Sequence, residues 1–481
     1  GSQVFARMEH HGIKIDVGYL DNTIQSLERR IKEMGQSLRN DEVYVVWRQR
    51  YGSRTNLNSL EQLSNVLFDS LGLPYHGDFT ATGRYKSDES VLAEVDHPFV
   101  RNYTSLRKTE STLAKLVGIK RETCNGILRP SFNLASHEEE GRGGAITYRS
   151  SSSSPNAQNW PRRNPVMEKL IRPCFIPHKG ELWGEVDFSG VEVRIAACYT
   201  KDPKLVEYVT DTSTDMHRDE ASGLFMLPVE FLVKHKDWAK KTVRDAAKNQ
   251  WVFPQFYGDV YFQCAPHVWD RMIKEKWTLP DTDKTMKEHL ASKGITKLGL
   301  CDVKQEPVKG TFEYHMKEQE KSLWYKRFPI YTKWKKDNWE NYQKNGWLRT
   351  LTGFVISGYY RRNQINNTGI QGSAFHCLLQ TLVWLQEAID KYHMKTKLIL
   401  QIHDSGNQSI PPKEVEDVLC LWHEFVTKRL PKHWPWIIVP LDVEAEISPE
   451  GGSWYEKTLV NPMIPKGDEH LQWKGEKWIW E

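Results

Sequence analysis

Two short stretches constrain this chain more than any others. "ELWGEVDFSGVEVR" (181–194) and "LILQIHDSGNQSI" (398–410) each run from an apolar, strand-like segment into a turn carrying an aspartate, Asp187 in the first and Asp404 in the second. Asp and Ser are ordinary turn residues, so either stretch alone reads as a β-turn. Together they ask for more. They lie more than 200 residues apart, and two carboxylates at the ends of neighbouring strands can share a pair of hard cations. That arrangement activates an attacking oxygen and stabilises a leaving one in phosphoryl transfer.

A chain of 481 residues suggests two to four packing units, and 39% hydrophobic with 27% charged residues is a globular balance. No apolar run reaches the roughly 18 residues that span a bilayer, and the N-terminus lacks the order of a signal peptide, so no membrane role is expected. The seven cysteines (Cys124, Cys174, Cys198, Cys264, Cys301, Cys377, Cys420) form no C-x-x-C pair and have no His at zinc spacing. They read as reduced thiols of an intracellular protein. A net charge of +4 does not by itself announce a polyanionic partner. Between Arg101 and Pro130, however, seven basic residues stand against two acidic ones; they could grip phosphates, although a solvated helix face is the commoner cause of such a run. Gly1-Ser2 has the look of a cloning scar, so the natural protein is expected to begin earlier.

Leu20, Ile24, Leu27 and Ile31, at spacings of three and four, predict a helix from Asp16 to about Met34, and more helices follow to about residue 122. The Ser-rich passage at 150–154 reads as an ordered loop. Residues 181–188 read as a strand, Ser189-Gly190 as a break and 191–199 as a helix. Helical segments fill roughly 202–345, with 267–312 as an inserted unit, and the last part alternates strand and helix. In "VRDAAKNQWVFPQFYG" (243–258), Arg244 and Lys248 share one helix face. Neither has an acidic residue at helical spacing C-terminal to it, so both are expected to be free for phosphate. Trp251, Phe253, Phe256 and Tyr257 could offer a stacking surface to a base. An amphipathic helix with a basic outside and an aromatic inside is the plainer reading of this segment alone.

These stretches, together with "TYRSSSSSPNAQNWPRR" and "INNTGIQGSAFH", resemble in the right order five polymerase motifs of the DNA polymerase I family, family A, closest in flavour to its bacteriophage members. The similarity spans nearly the whole chain. The resemblance implies an α+β multidomain, right-hand fold: residues 1–34 packing on the palm, a helical thumb at 35–125, a palm at 126–200 and 346–481 built on an antiparallel sheet, and fingers at 201–345 that include the insertion at about 267–312. It implies a DNA-directed DNA polymerase, a nucleotidyltransferase. A primer 3′-hydroxyl would attack the α-phosphate of a deoxynucleotide and release pyrophosphate, with two Mg²⁺ ions, or Mn²⁺ in their place. The setting would be phage DNA replication in the bacterial cytoplasm. The expected partners are primer-template DNA and dNTPs, with accessory proteins unspecified, for a monomer without a membrane partner. No proofreading exonuclease is expected within this chain.

The same resemblance assigns roles. Asp187, Asp404 and the carbonyl of Phe188 would hold the metals; Arg244, Lys248 and His217 would hold the triphosphate. Glu192 would fill the space of a ribose 2′-hydroxyl, selecting deoxynucleotides by a clash. Phe253 and Tyr257 would contact the nucleotide. Arg149, Gln158, Asn159, Asn367 and Gln371 would face the template-primer, where minor-groove acceptors occur on every correct pair. Arg163 would meet a phosphate, and His403 the primer end.

Departures from the family pattern matter as well. The family's key aromatic follows the lysine by four residues, but that position is Val252 here, with Phe253 and Tyr257-Gly258 each displaced by one. One extra residue turns a helix face by about 100°, so a π-bulge or local unwinding is predicted between Lys248 and Phe253. Gly190 stands for a usual Gln, Tyr148 for a Gly, Asn363 for an Arg, and Ser405 for the Glu after the second aspartate; Ser405 is therefore left out of the metal ligands. Two other readings are a single-subunit RNA polymerase, opposed by Glu192, and a non-catalytic nucleic-acid-binding protein. The joint presence of Asp187, Asp404, Arg244 and Lys248 opposes the latter.

Overall fold

A computed structural model describes residues 1–75, 80, 83–85, 91–92, 95–134, 136–137, 142–143, 147–160, 165–465 and 467–481. Arg163 lies outside the described residues. The centre is a five-stranded antiparallel sheet of β1 (Leu182–Phe188), β2 (Lys397–Ile402), β3 (Ser405–Ile410), β4 (Val443–Ile447) and β5 (Thr458–Val460), in the order β2-β3-β1-β4-β5. As the middle strand β1 is covered on both faces, and every residue but Asp187 is buried, which is why its sequence is a near-continuous apolar run. A Cβ at Gly184 would fall 2.5 Å from Ile410 Cδ1, so β3 packs where only glycine fits. The exception in charge is Glu185. It is 6% exposed, accepts from the Trp454 indole at 2.8 Å and pairs with Lys457 at 2.7 Å, the partnering that a buried carboxylate requires.

The predicted helices are present, with longer ends. α1 (Val17–Arg39) is capped by Asp16, whose side chain accepts from the Tyr19 N–H at 2.9 Å, and it buries Leu20, Ile24 and Leu27. It continues past Met34 because Leu38 enters a second core, with Val43, Trp47, Phe99 and Tyr103. The expected boundary at residue 35 thus falls inside one helix. α2 (Pro98–Glu122) packs along α1. Of its basic run, Arg101, Arg107, Lys120 and Arg121 pair with Asp96, Glu110, Asp21 and Glu122 on exposed side chains, so most of that charge belongs to a solvated face. The Ser-rich passage is a strand rather than a loop: Ser151–Ser153 pairs with Ser131–Asn133.

The elements that frame the site follow β1. They are α3 (Val191–Thr200), α4 (Met216–Phe225), a helical stretch α5 (243–257), α6 (Tyr261–Lys274), α7 (Met286–Ser292), α8 (Phe312–Lys321), α9 (Pro329–Asn345) and α10 (Arg362–Lys391). α6 runs unbroken from Tyr261 to Lys274, so the expected start of the inserted unit at residue 267 falls inside a helix, and Trp277, Leu279, Met286, Leu290 and Ile295 beyond it join the main core. All seven cysteines are free. Among the described residues no helix is long and apolar enough to cross a membrane.

Candidate active site

Strand pairing brings the two aspartates together. Ser405 on β3 lies opposite Asp187 on β1, and the Phe188 N–H donates to the Asp404 carbonyl at 3.2 Å. The turn between β2 and β3 puts His403 at φ 49°, exposed. It is held from below: the Gln401 amide donates to the His403 carbonyl at 2.7 Å, while its oxygen accepts from Ser150 at 2.6 Å and from Gln158 at 2.7 Å. Gln158 is only 8% exposed. The expectation that it faces the template-primer therefore gives way to a buried amide that props the Asp404 turn, since a buried polar group goes where its hydrogen bonds are. Asn159 is exposed.

Asp404 is three-quarters buried, with a side chain 25% exposed, and its Oδ1 has no hydrogen-bond partner among the described residues. Burial raises its carboxyl above the usual range; the Arg149 guanidinium, 3.6 Å away, opposes that shift. On the far side of Asp187 stands Glu444 of β4, directly opposite in register and exposed, a neighbouring carboxylate that the sequence reading missed.

Glu192, in the first turn of α3, accepts from both the Arg149 guanidinium and the Tyr257 hydroxyl. Burial lifts the Glu192 carboxyl, with Arg149 acting against it, and burial together with Glu192 pushes the Tyr257 phenol up. Tyr148 occupies the left-handed region at φ 58° where the resemblance has glycine, a conformation costing about 1–2 kcal/mol. Its side chain offsets this by donating to the Val355 carbonyl and packing 5.7 Å from the Phe354 ring. Next to it, a Cβ at Gly372 would lie 2.9 Å from the Thr147 carbonyl, so the Gln-Gly pair of α10 lets this segment come close.

The predicted bulge is present. α5 is α-helical over Val243–Ala246, forms a π turn over Ala247–Val252 and resumes at Phe253–Tyr257. Val252 is fully buried in the core, while the Phe253 ring meets His217 edge-on at 5.7 Å and lies 5.6 Å from the Lys248 ammonium. The wider turn thus gathers Lys248, His217 and Phe253 on one side. Trp251, on the other, donates to buried Glu220 at 2.8 Å, which also takes Arg327.

Arg244 is not free. Its Nε donates to Asp215 at 2.6 Å, and the same carboxylate caps α4 by accepting from the His217 and Arg218 N–H groups at 3.1 Å each. This partner comes from another helix, out of reach of a spacing rule. The cap could have been read from Asp215 preceding "MHRDEA". Lys248 has no carboxylate at ion-pair distance among the described residues. Burial lowers His217 to about 4, and Arg244 and Lys248 contribute, so its imidazole is neutral at pH 7. On α10, Asn367 donates to the Tyr257 carbonyl at 2.8 Å and Asn363 to that of Gly258 at 3.0 Å. Gln371 lines a pocket with Glu192, Phe253, Tyr257 and Tyr331.

Behind Tyr148, the His376 Nδ1 is 2.6 Å from the Thr352 hydroxyl and its ring stacks 4.1 Å from Phe354; burial lowers it to about 4. Between an unfolded value near 6.5 and that folded value, only the unfolded chain binds the proton, so stability is lost as pH falls through this window, by about 3 kcal/mol at most. Melting temperatures at about pH 7.5 and pH 5 should therefore differ more for the parent than for His376→Phe. Equal differences would remove His376 from this role.

A model of DNA polymerase family A matches residues 21–268, just over half of the 481 residues. The chain belongs to DNA polymerase family A. The thermostable DNA polymerase I of Thermus aquaticus is 27% identical over 469 residues, covering 94% of this chain and 47% of that protein. DNA polymerase I of Caldicellulosiruptor bescii is 26% identical over 473 residues, covering 94% and 46%. This family A chain thus spans about half the length of these curated relatives, which are bacterial; they lend no support to the expected bacteriophage affinity. The solved POL domain of Pol1 from M. smegmatis, in complex with DNA primer-template and dNTP, superposes with a TM-score of 0.69 at 22% identity, over 94% of this chain and 69% of that one. The fold is the right-hand polymerase fold of family A.

Proposed function

We propose that this chain is a template-directed DNA polymerase that joins a primer 3′-hydroxyl to the α-phosphate of a deoxynucleotide and releases pyrophosphate. The observation that carries the reading is one arrangement: the strand-end pair Asp187 and Asp404 on the sheet, and a fingers helix whose Lys248, Phe253 and neighbouring His217 share a side, with Glu192 and Tyr257 between them. The residues suit divalent cations, being hard oxygen donors that include a buried Asp404 Oδ1 with no hydrogen-bond donor among the described residues. Asp187, Asp404 and the Phe188 carbonyl would hold Mg²⁺, or Mn²⁺ in its place. Such ions, when bound, stabilise the attacking and leaving oxygens of an in-line displacement.

The protein's own groups do the rest. Lys248, Arg244 and His217 meet the triphosphate, whose charge restores a proton to an imidazole that burial keeps neutral. Glu192, fixed by Arg149 and Tyr257, stands against a 2′-hydroxyl. Closing of the fingers on a correct pair would assemble the site around the right substrate. Arg149, Asn159, Asn367, Gln371 and His403 face the template-primer, with Gln158 supporting the Asp404 turn from beneath. The test is primer extension with Mg²⁺, comparing dNTPs with NTPs. Extension that depends on template and prefers dNTPs is expected. Equal use of NTPs would favour the RNA polymerase reading, and no extension by the intact chain would overturn both.

A further inference from the structure

The segment running from α9 into α10 gathers aromatic and cationic residues that the site described above does not use. Residues 329–364 hold seven basic residues against two acidic ones, with eight Tyr, Trp or Phe among them. Part of this is core: Tyr331 and Tyr342 are buried, and the Lys335 ammonium lies 3.3 Å from the centre of the Trp324 ring. The rest faces out. In the hairpin of Trp347–Arg349 and Val355–Ser357, Leu348 and Ile356 pack towards Tyr342 and Ile365, while Trp347, Arg349 and Val355 alternate with them and are exposed. Just past the hairpin, Tyr359 is 107% exposed, against 47% for Trp347. Its turn is not a frayed end. Gly358 takes φ 123°, a conformation that strains a side chain, and its carbonyl accepts from the Tyr342 hydroxyl, whose ring meets Tyr360 edge-on at 6.1 Å. A single exposed ring would need no explanation, but rings grouped along an anchored edge mark an interaction surface.

The charge along this edge is cationic. Lys344, Arg349, Arg361 and Arg362 are exposed and lie outside ion-pair distance of any described carboxylate. Of the segment's two acids, Glu340 pairs with Lys336 at 3.7 Å and Asp337 sits two turns before the end of α9; the first acidic residue of α10 is Glu387. That balance selects a polyanion. The exposed rings select one with open base faces, because stacking on aromatic side chains holds unpaired bases of any sequence, whereas paired bases already stack on one another. The edge also adjoins the candidate site. Phe354 at the hairpin turn packs on Tyr148, Asn363 donates to the Gly258 carbonyl at the end of α5, and Arg362 lines a cleft with Gly258. A primer ends at the active site, so the strand that continues unpaired beyond it is the template.

We propose that this edge carries the unpaired template ahead of the active site, with bases stacking on Tyr359 and Trp347 and phosphates meeting Arg349 and Arg361. The inference rests on the polymerase reading and adds a binding surface to it. The test is fluorescence anisotropy with the intact chain and three labelled probes: a primer-template with a one-nucleotide 5′ template overhang, the same duplex with an eight-nucleotide overhang, and a ten-residue Asp/Glu peptide. The parent is expected to bind the long overhang at least about tenfold more tightly than the short one. Trp347→Ala with Tyr359→Ala should remove that difference while affinity for the short overhang stays within about twofold; Trp347→Phe with Tyr359→Phe, which keeps both rings, should retain it. Arg349→Ala with Arg361→Ala should flatten the salt dependence of binding to the long overhang. The proposal is overturned if overhang length leaves the parent's affinity unchanged, if the alanine pair keeps the difference, if the phenylalanine pair loses it, if the arginine pair keeps the parent's salt dependence, or if the peptide binds more tightly than the long overhang. Primer extension on the short overhang separates the two readings. Extension by a parent that ignores overhang length overturns this inference alone, and no extension overturns both.

Discussion

Asp404→Asn is expected to slow primer extension by at least about 10³-fold, or about 4 kcal/mol of transition-state stabilisation at 1.36 kcal/mol per factor of ten, while the protein stays folded. The substitution keeps the shape of the side chain and removes its charge, so it separates the metal-site role from the turn. The fold should tolerate it. The carboxyl is already shifted upward by burial, its Oδ1 accepts no hydrogen bond among the described residues, and Arg149, 3.6 Å away, keeps its pairing with Glu192. The turn itself hangs on the Gln401 amide and on the Phe188 N–H to Asp404 carbonyl bond, neither of which involves the carboxylate. A melting temperature at or above that of the parent, with extension lost, is the expected pair of results. Extension within tenfold of the parent would mean that Asp404 does not carry the chemistry.

Lys248→Ala is expected to lower kcat/KM for the incoming nucleotide by about 10²-fold with little change in stability. Among the described residues this ammonium has no carboxylate at ion-pair distance, and it lies 5.6 Å from the Phe253 ring. Arg244→Ala should behave differently. Removing that guanidinium leaves Asp215, among the described residues, with the His217 and Arg218 N–H donors, so a loss of about 1–3 kcal/mol in stability should accompany the loss of activity. Nucleotide kinetics alongside thermal melts distinguish the two residues. Unchanged kcat/KM in Lys248→Ala would place the triphosphate elsewhere.

How much of this was legible in the sequence depended on how local the physics is. The strand, break and helix at 181–200 were readable because burial pattern and glycine punctuation act within a few residues; β1 and α3 match within one residue. The π turn was readable because a one-residue count against an expected spacing has few structural solutions. What escaped depends on remote partners. Arg244 looked free because its carboxylate arrives from α4, and Gln158 looked like a surface amide because Ser150 and Gln401 converge on it only after β2 is in place. The Ser-rich strand failed for the same reason, as its pairing with residues 131–133 is not written in its own composition. The expected start of an inserted unit at 267 falls inside a helix because α6 keeps its helical pattern to Lys274.

The π turn over Ala247–Val252 also sets how positions may be transferred between this protein and its relatives. Counting forward from Lys248 with the family's spacing arrives at Val252, a core residue; counting back from Tyr257 arrives at Phe253, which faces His217. The helix thus has two coordinate origins, one on each side of the bulge. A substitution carried over from a relative is placed correctly only when it is counted from the nearer one.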